Sequence, residues 1–245
     1  MAAGGAHMTG SVLEDAFVWL NDPLSWTGPR GVLALAREHL AMAAAAVAIA
    51  AAVSLPLGAV LARARRGGGA VVVVANVTRA VPTFALLLIF ATTAVGFGNR
   101  PTVIAAAVFA VPPILTNTWT ALRSVDHGVR EAAAGMGMSR WRSLVGVELP
   151  LAFPLIAAGL RTAAVQVVAT IPLAALVGGG GLGVLVVTGL ATRRFGEVLA
   201  GGLLVAALCL LTEAVLAALQ RAVTPRGLRP VRVRGAAQAP GAPRS

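Results

Sequence analysis

The sequence predicts an all-α integral membrane protein folded as a five-span helical bundle. Of its 245 residues, 58% are hydrophobic, whereas only 20 are basic and 9 are acidic. A soluble domain cannot bury so large an apolar fraction. Several uncharged stretches are also long enough to cross a hydrocarbon core of about 30 Å as a helix. Composition therefore places this chain in a membrane before any motif is considered.

Uncharged or nearly uncharged stretches define the five predicted membrane-spanning helices. The fourth is followed by a run of four glycines at 178–181, which would interrupt a helix. The fifth contains a single charged residue, Glu213. The predicted spans are residues 40–62, 80–99, 101–122, about 151–177 and about 198–219.

The distribution of arginine predicts the orientation of the bundle. All 20 basic residues are arginine, and short loops rich in arginine remain on the cytoplasmic side of a membrane. If the C-terminus is cytoplasmic, thirteen arginines fall in cytoplasmic segments and five in external ones. We therefore predict that the N-terminus lies outside the cell and the C-terminus inside.

Three segments are predicted along the chain. Residues 1–38 form an external segment with a short helix that begins at a capping box, residues 11–14, and lies either on the membrane surface or on the protein's own outer loops. Residues 39–222 form the transmembrane domain, with one long cytoplasmic loop at about 119–150. Residues 223–245, rich in Pro, Gly and Arg, are predicted to be a disordered basic cytoplasmic tail.

Composition also excludes several classes of function. The chain has no lysine, so it cannot form a Schiff base, bind PLP through lysine, or complete a P-loop ATP site alone. Its one cysteine, Cys209, and three widely separated histidines predict no metal site. A net charge of +11 would suit a nucleic-acid partner, but these arginines flank apolar spans, so no such partner is predicted. The spans contain no convergent Ser/His, paired Asp or metal ligands, so no catalytic residue is predicted either.

The long cytoplasmic loop is predicted to fold as two short helices around a turn. Asp126 can cap the first helix, Gly137 can end it in the left-handed conformation, and Ser139 can cap the second. Glu131 is expected to bind neighbouring backbone or arginine and so hold the bend rigid. Ala132 and Ala133 are expected to present a small-residue surface to another protein.

The spacing within this loop resembles the EAA signature of ATP-binding cassette (ABC) importer permeases. That signature is Glu-Ala-Ala, three residues, Gly, nine residues, an apolar residue, one residue and then Leu-Pro. The departure here is a valine where the family often has isoleucine. The matching residues are Glu131, Ala132, Ala133, Gly137, Val147, Leu149 and Pro150.

Flanking segments over about residues 17–222 resemble the osmoprotectant subfamily, which imports glycine betaine, carnitine, choline or proline betaine. The resemblance implies a type I ABC importer permease fold in the cell membrane of a prokaryote. It also implies that the loop docks in a separate ATPase subunit. The segments that carry it are His39-Leu40, Ala75-Asn76, Val81-Pro82-Thr83, Pro112-Pro113 with Asn117, Gly159-Leu160-Arg161, and Leu182-Gly183.

The same resemblance implies the partners. This chain would bind no cofactor itself, because ATP and Mg would be held by two copies of the ATPase subunit. A second permease, identical or a sister chain, and an external substrate-binding protein would complete the transporter in the lipid bilayer. Quaternary ammonium groups are held by aromatic cages, and this chain has no tyrosine, so tight substrate binding is assigned to the external protein.

Two alternatives remain open at this stage. A methionine-type ABC permease would share the five spans and the same loop. A secondary transporter, from a different class, would be expected to show internal repeats and carboxylates at the bilayer midplane. The sequence shows no repeat, and its one carboxylate within a span is Glu213, near the end of that span.

Polar and charged residues within the spans are the remaining candidates. Each polar residue could line the translocation path or hold two helices together. Arg161 and Glu213 could form a gate or brace, or could reach the inner membrane surface, and we favour the second. Arg79 stands where the subfamily would have an uncharged polar residue. The path candidates are Asn76, Thr83, Asn117, Gln166 and Thr170, and the charged candidates are Arg79, Arg161 and Glu213.

Overall fold

The computed structural model describes residues 4–64, 68–77 and 80–224, which form helices and turns without a β-strand. The all-α fold class is confirmed for this part of the chain. A π-helical turn, Leu144–Glu148, joins α8 to α9, and a 3-10 helix, Ile171–Val177, continues α9. The helices are α1 (Gly4–Asn21), α2 (Pro23–Trp26), α3 (Val32–Arg63), α4 (Gly68–Val77), α5 (Thr83–Ala91), α6 (Asn99–Arg123), α7 (His127–Gly135), α8 (Arg140–Ser143), α9 (Leu149–Thr170), α10 (Gly183–Ala191) and α11 (Phe195–Val223).

Four helical segments of the described chain are long and apolar enough to cross a membrane. They are α3, α6, the continuous segment Arg140–Val177 and α11, and they correspond to the first, third, fourth and fifth predicted spans. The 32 residues of α3 extend about 48 Å, which exceeds a hydrocarbon core of about 30 Å. Helix α3 must therefore tilt or project beyond the core.

The second predicted span differs from the structure. Within residues 80–99, a helix begins at Thr83 and ends at Ala91, and it is preceded by the separate ten-residue helix α4. Pro82 precedes α5 and cannot donate the backbone hydrogen bond that would continue an earlier helix. Neither α4 nor α5 alone is long enough to cross the bilayer. A continuous span over 80–99 is therefore wrong, and the count of five spans stays a prediction, as does the orientation.

The N-terminal helix also begins earlier than predicted. Helix α1 starts at Gly4 and continues through residues 11–14, so the predicted capping box does not mark its start. Ala16 is 3% exposed and packs where α11 begins, because a Cβ on Gly196 would lie 2.9 Å from the Ala16 nitrogen. Phe17 of the same helix is 69% exposed. The helix thus packs on the protein and also leaves apolar side chains free for a membrane surface.

Small residues allow α3, α6 and α9 to pack closely against one another. Ala46 and Ala50 of α3, Ala110 of α6 and Ala163 of α9 are each 0% exposed and belong to one cluster. Small side chains permit close backbone approach, which is how membrane helices associate where no hydrophobic force drives them together. These three helices form the rigid centre of the fold.

The bundle has two ends that the following sections distinguish. The near end carries the loop that contains α7 and α8, and the far end carries the glycine turn at 178–181 and α10. At the far end Gly178 has a left-handed backbone, with φ of +71°, and it ends the 3-10 helix. Most of the predicted tail, residues 225–245, lies outside the described residues, and so does Arg79.

Gly159 provides a test of this close packing. A Cβ at Gly159 would lie 2.5 Å from Cβ of Asn117, so Gly159→Ala must force α9 away from α6. We expect a loss of about 1–3 kcal/mol in stability and a lower Tm of the purified protein in detergent. Gly202→Ala on α11 is the matched control, because nothing lies within 4 Å of its Cβ position. Equal Tm values for the two variants would contradict the close approach.

Candidate functional site

The loop at the near end has the predicted turn chemistry. Asp126 caps α7, where its Oδ1 accepts a hydrogen bond from the Gly128 amide at 2.7 Å. Gly137 has φ of +76°, the left-handed conformation that ends a helix. Ser139 caps α8, where its Oγ accepts from the Arg142 amide at 3.3 Å. Local sequence rules therefore position both short helices.

The turn between these helices is closed by backbone hydrogen bonds to the last residues of α7. The amide of Met138 donates to the Ala133 carbonyl at 3.1 Å, and the amide of Gly137 donates to the Ala134 carbonyl at 2.9 Å. Only a residue that tolerates positive φ fits between these two bonds. The angle between α7 and α8 thus depends on Gly137.

Glu131 and the two alanines that follow it lie in different surroundings. The Glu131 carboxylate is 70% exposed and lies 3.2 Å from His127 Nδ1, so the expectation that it holds the bend through backbone or arginine is wrong. Ala133 is 1% exposed, whereas Ala132 is exposed. Successive helical residues point about 100° apart, so both alanines cannot face a partner. Of the Glu-Ala-Ala tripeptide, Glu131 and Ala132 are thus the residues that another protein could contact.

The C-terminal part of the motif enters the bundle. Val147 lies half-buried in the π-helical turn, a rare element that often marks functional sites. Leu149 packs against the buried cluster at the near end, which includes Leu122 and Leu144. Pro150 is the second residue of α9, directly after the π-helical turn, and it has no amide hydrogen to donate to a carbonyl of that turn. These residues fix the point at which the loop becomes a spanning helix.

Glu148 is the central residue of this site, and the sequence did not single it out. It is 3% exposed, and its carboxylate forms an ion pair with Nη2 of Arg63 from the end of α3. Its Oε2 lies 3.2 Å from Nε of Arg130 on α7, and its Oε1 accepts a hydrogen bond from Oγ of Ser143 on α8 at 3.2 Å. One carboxylate thus joins α3, α7, α8 and α9.

Arg130 extends this network to a fifth helix, α6. Its Nη2 donates a hydrogen bond to the carbonyl of Leu122, in the last turn of α6. A buried carboxylate that loses one partner becomes an uncompensated charge, which costs about 3–5 kcal/mol in a fully buried pair. The arginine side chains are 35% and 34% exposed, so the cost here is smaller.

A cleft of about 650 Å³ opens beside this network at the near end. Its lining includes Arg63, Arg123, Arg130 and Arg140 together with Glu148. Arg123 lies over the ring of Trp119, 5.4 Å from the centroid, and so is already engaged in a cation–π contact. The cleft is therefore basic, and it faces the same side of the molecule as the loop.

The structure places the predicted path residues in different situations. Asn76 Nδ2 donates across helices to Oγ1 of Thr116 at 3.0 Å, which favours a role in holding α4 to α6. Asn117 and Thr170 each donate to a carbonyl four residues earlier in their own helix. Thr83 is half-buried at the start of α5.

Gln166 is the path candidate with an unused polar atom. In the described part of the chain, its Oε1 is buried without a hydrogen-bond partner. A buried acceptor without a partner has a cost of about 1–3 kcal/mol, so native structures rarely retain one without a role or a water molecule. This atom is a stronger candidate for contact with a passing solute than the satisfied side chains.

Arg161 and Glu213 lie together in the structure. Nε of Arg161 on α9 is 3.4 Å from Oε1 of Glu213 on α11. This geometry is that of a brace between two helices. It differs from the separate contacts with the inner membrane surface that the sequence favours. The two side chains are 30% and 47% exposed, so solvent or headgroups still reach them. Among the described residues, no group of three or more His, Cys, Asp or Glu side chains is placed to hold a metal ion.

The stretch of chain that forms these helices and the loop matches a known family. Residues 54–226 match the family described as binding-protein-dependent transport system inner membrane component. The chain belongs to this family. The matched region contains the whole loop at the near end and the helices from the last third of α3 to the end of α11.

Several curated inner membrane components are similar to this one. The glycine betaine/carnitine/choline transport system permease protein OpuCB of Bacillus subtilis is 36% identical over 78% of this chain and 88% of its own length. The carnitine transport permease protein OpuCB of Listeria monocytogenes is 37% identical over 81% and 90%. The osmoprotectant import permease protein OsmW of Salmonella typhimurium is 36% identical over 81% and 95%.

Solved structures of transporters share the fold of this inner membrane component. An inward-facing crystal form of the MetNI methionine ABC transporter has a chain that aligns with a TM-score of 0.70 at 23% identity. The alignment covers 84% of this chain and 100% of that one. A structure of an amino acid ABC transporter with histidines aligns with a TM-score of 0.62 at 16% identity. The type I importer permease fold is thus confirmed.

Glu148→Gln tests the buried ion network. The amide keeps the shape of the side chain but removes the charge that neutralises Arg63 and Arg130. We expect a loss of about 1–3 kcal/mol, measured as a lower Tm of the purified protein. Glu131→Gln is the same chemical change at a 70% exposed position, and its Tm should equal that of the wild type. A wild-type Tm for Glu148→Gln would rule out the network as a stabilising contact.

Gly137→Ala tests the left-handed turn. The substitution places a Cβ on a residue with φ of +76°, which costs about 1–2 kcal/mol. We expect faster amide hydrogen exchange in residues 133–139, where the Met138 amide bonds to Ala133. Gly135→Ala is the control, because it has equally open surroundings and helical φ. The turn assignment fails if both variants exchange at the same rate.

Proposed function

We propose that this chain is the transmembrane permease subunit of an ATP-driven ABC importer for a quaternary-amine compatible solute. The solute class is glycine betaine, choline, carnitine or proline betaine. The observation that carries the proposal is similarity of 34–37% identity to permeases named for choline, carnitine and glycine betaine transport, in a chain that has the EAA loop. A methionine permease is supported only by the shared fold, because this chain is 23–24% identical to the aligned chains of the MetNI structures. A secondary transporter is disfavoured by the family match.

The loop at the near end is proposed to contact a separate ATPase subunit. Two large apolar side chains flank the turn at Gly137, and both are exposed: Met136 at 73% and Trp141 at 70%. Exposed apolar groups on an otherwise polar loop are typical of a protein–protein contact. The ATPase would hold ATP and Mg, because this chain has no lysine for a P-loop.

The Glu148 network is proposed to transmit movement of the loop into the bundle. When ATP closes two ATPase subunits, the two permease loops would move together. Glu148 links α7 and α8 to the ends of α3 and α9, so the loop cannot move without these helices. This link would convert closure of the ATPases into alternating access in the permease pair.

A second permease subunit is proposed to complete the translocation path. Only 6% of the most apolar stretch of α11 is buried within the described chain, so lipid or another chain must cover this helix. The partner would be an identical copy or a sister permease. Both would lie in the cell membrane of a prokaryote, to which the apolar helices and the family point.

Tight binding of the solute is proposed to belong to an external substrate-binding protein. A quaternary ammonium needs several aromatic ring faces. The ring of Trp119 already contacts Arg123, the indole nitrogen of Trp26 donates to the Leu20 carbonyl, and Trp141 lies on the loop at the near end. We therefore expect the translocation path to bind the solute only weakly, which suits rapid passage. Gln166, with its unpartnered Oε1, is the best candidate for such a contact.

The solute class can be tested with the assembled transporter in proteoliposomes. The chain is reconstituted with its ATPase and binding protein, and uptake of labelled glycine betaine, choline, carnitine and methionine is measured with ATP present. We expect ATP-dependent uptake of at least one quaternary amine and none of methionine. The control omits the binding protein and should lose uptake. Uptake of methionine without any quaternary amine would contradict the proposal.

A further inference from the structure

A second polar cluster lies at the far end, opposite the Glu148 network. Glu38 on α3 accepts a hydrogen bond from Asn99 Nδ2 at 2.6 Å through Oε1, and from the Gly181 amide at 3.2 Å through Oε2. Asn99 Oδ1 accepts from the Gly180 amide at 2.7 Å. We call Glu38, Asn99, Gly180 and Gly181 the far-end cluster. It joins the start of α6 and the glycine turn to α3.

The glycine turn fits closely around the Glu38 carboxylate. A Cβ at Gly180 would lie 1.9 Å from Glu38 Oε2, so no larger residue can occupy that position without displacing the carboxylate. Gly181 has φ of +84°, and a Cβ there would lie 3.1 Å from Met42. Gly98, just before α6, also donates its amide to the Val177 carbonyl at 2.8 Å. The turn is therefore specifically shaped to contact α3 and α6.

The far-end cluster differs from the near-end network in its chemistry. Within the described residues, Glu38 has no ion pair within 4 Å, and its carboxylate is held by neutral N–H donors instead. Hydrogen bonds to a charged acceptor contribute about 1.5–3 kcal/mol each, so the two that Glu38 accepts stabilise the contact but can still be broken. The cluster also lines a cleft of about 750 Å³ at the far end, so water can reach it.

We propose that the far-end cluster is a lock that must open and close during each transport cycle. Closed, it holds α3, α6 and the turn before α10 together at the end that would receive solute. Glu38 and Asn99 act as positioning residues, because they set the arrangement of helices and need not touch the solute. The proposal rests on the proposed transport function for its cycle, but the contact itself can be tested without any solute.

The test exchanges the hydrogen-bonding groups of Glu38 and Asn99. Asn99→Asp replaces the Nδ2 donor by an oxygen, so two carboxylates face each other across the 2.6 Å contact. The double variant Glu38→Gln/Asn99→Asp restores one donor and one acceptor in the opposite order, and its aspartate can still accept from the Gly180 amide. Measurements are made at pH 8, because a lower pH would favour a proton shared between two facing carboxylates.

Two readouts are taken on the complex of permease and ATPase in nanodiscs. The first is amide hydrogen exchange in the peptide that contains residues 178–183. The second is ATP hydrolysis without the binding protein. For Asn99→Asp we expect exchange to rise about tenfold, as for loss of one such hydrogen bond, and hydrolysis without the binding protein to rise severalfold. The double variant should return both values to within about twofold of the wild type.

Each other outcome decides against the lock. Wild-type exchange in Asn99→Asp would show that the contact does not hold the turn. A second outcome is that amide exchange rises in Asn99→Asp and returns to normal in the double variant, but ATP hydrolysis is the same in all three proteins. The cluster would then hold the turn in place without taking part in the transport cycle. If Asn99→Asp fails to assemble with the ATPase, the double variant becomes the test. It must assemble and show wild-type exchange and hydrolysis; otherwise the proposed pairing of Glu38 with Asn99 is wrong. Failure of the wild type to import a quaternary amine would overturn the proposed function but would leave the exchange result valid.

Discussion

A carboxylate in a low-dielectric environment requires a positive partner, and this requirement organises the near end of the protein. Glu148 satisfies it with Arg63 and Arg130, which come from positions 85 residues and 18 residues earlier in the chain. Because Arg130 also donates to the Leu122 carbonyl, the same contacts bring the ends of α3 and α6 against the loop. The loop is thus attached to the bundle through these charged contacts as well as through the apolar packing of Leu144 and Leu149.

Between the two ends, small residues make the bundle stiff. Fully buried alanines on α3, α6 and α9, and Gly159 against Asn117, allow the helix backbones to approach closely. A centre packed in this way has little freedom to deform, so motion at one end is passed on as displacement of whole helices. The polar clusters at the two ends are then the places where relative movement of helices can be controlled.

The sequence was informative where the signal is local and less so where it is not. Asp126, Gly137 and Ser139 occupy predicted caps and turns, because capping depends on residues within a few positions. The fold class also followed from apolar stretches of sufficient length. Glu148 was overlooked because nothing beside it in the chain indicates an arginine 85 residues away. The second span was misplaced because an uncharged stretch does not reveal where Pro82 separates two helices.

The continuous helical segment Arg140–Val177 has a mechanical consequence. Its 38 residues extend about 57 Å, so it reaches from the Glu148 network to within three residues of Gly180. If the segment tilts by about 5° about one tip, the other tip moves by about 5 Å, nearly one helical pitch. A displacement of that size exceeds the length of any hydrogen bond in the far-end cluster. A small tilt of this segment relative to α6 is therefore large enough to separate Gly180 from Asn99.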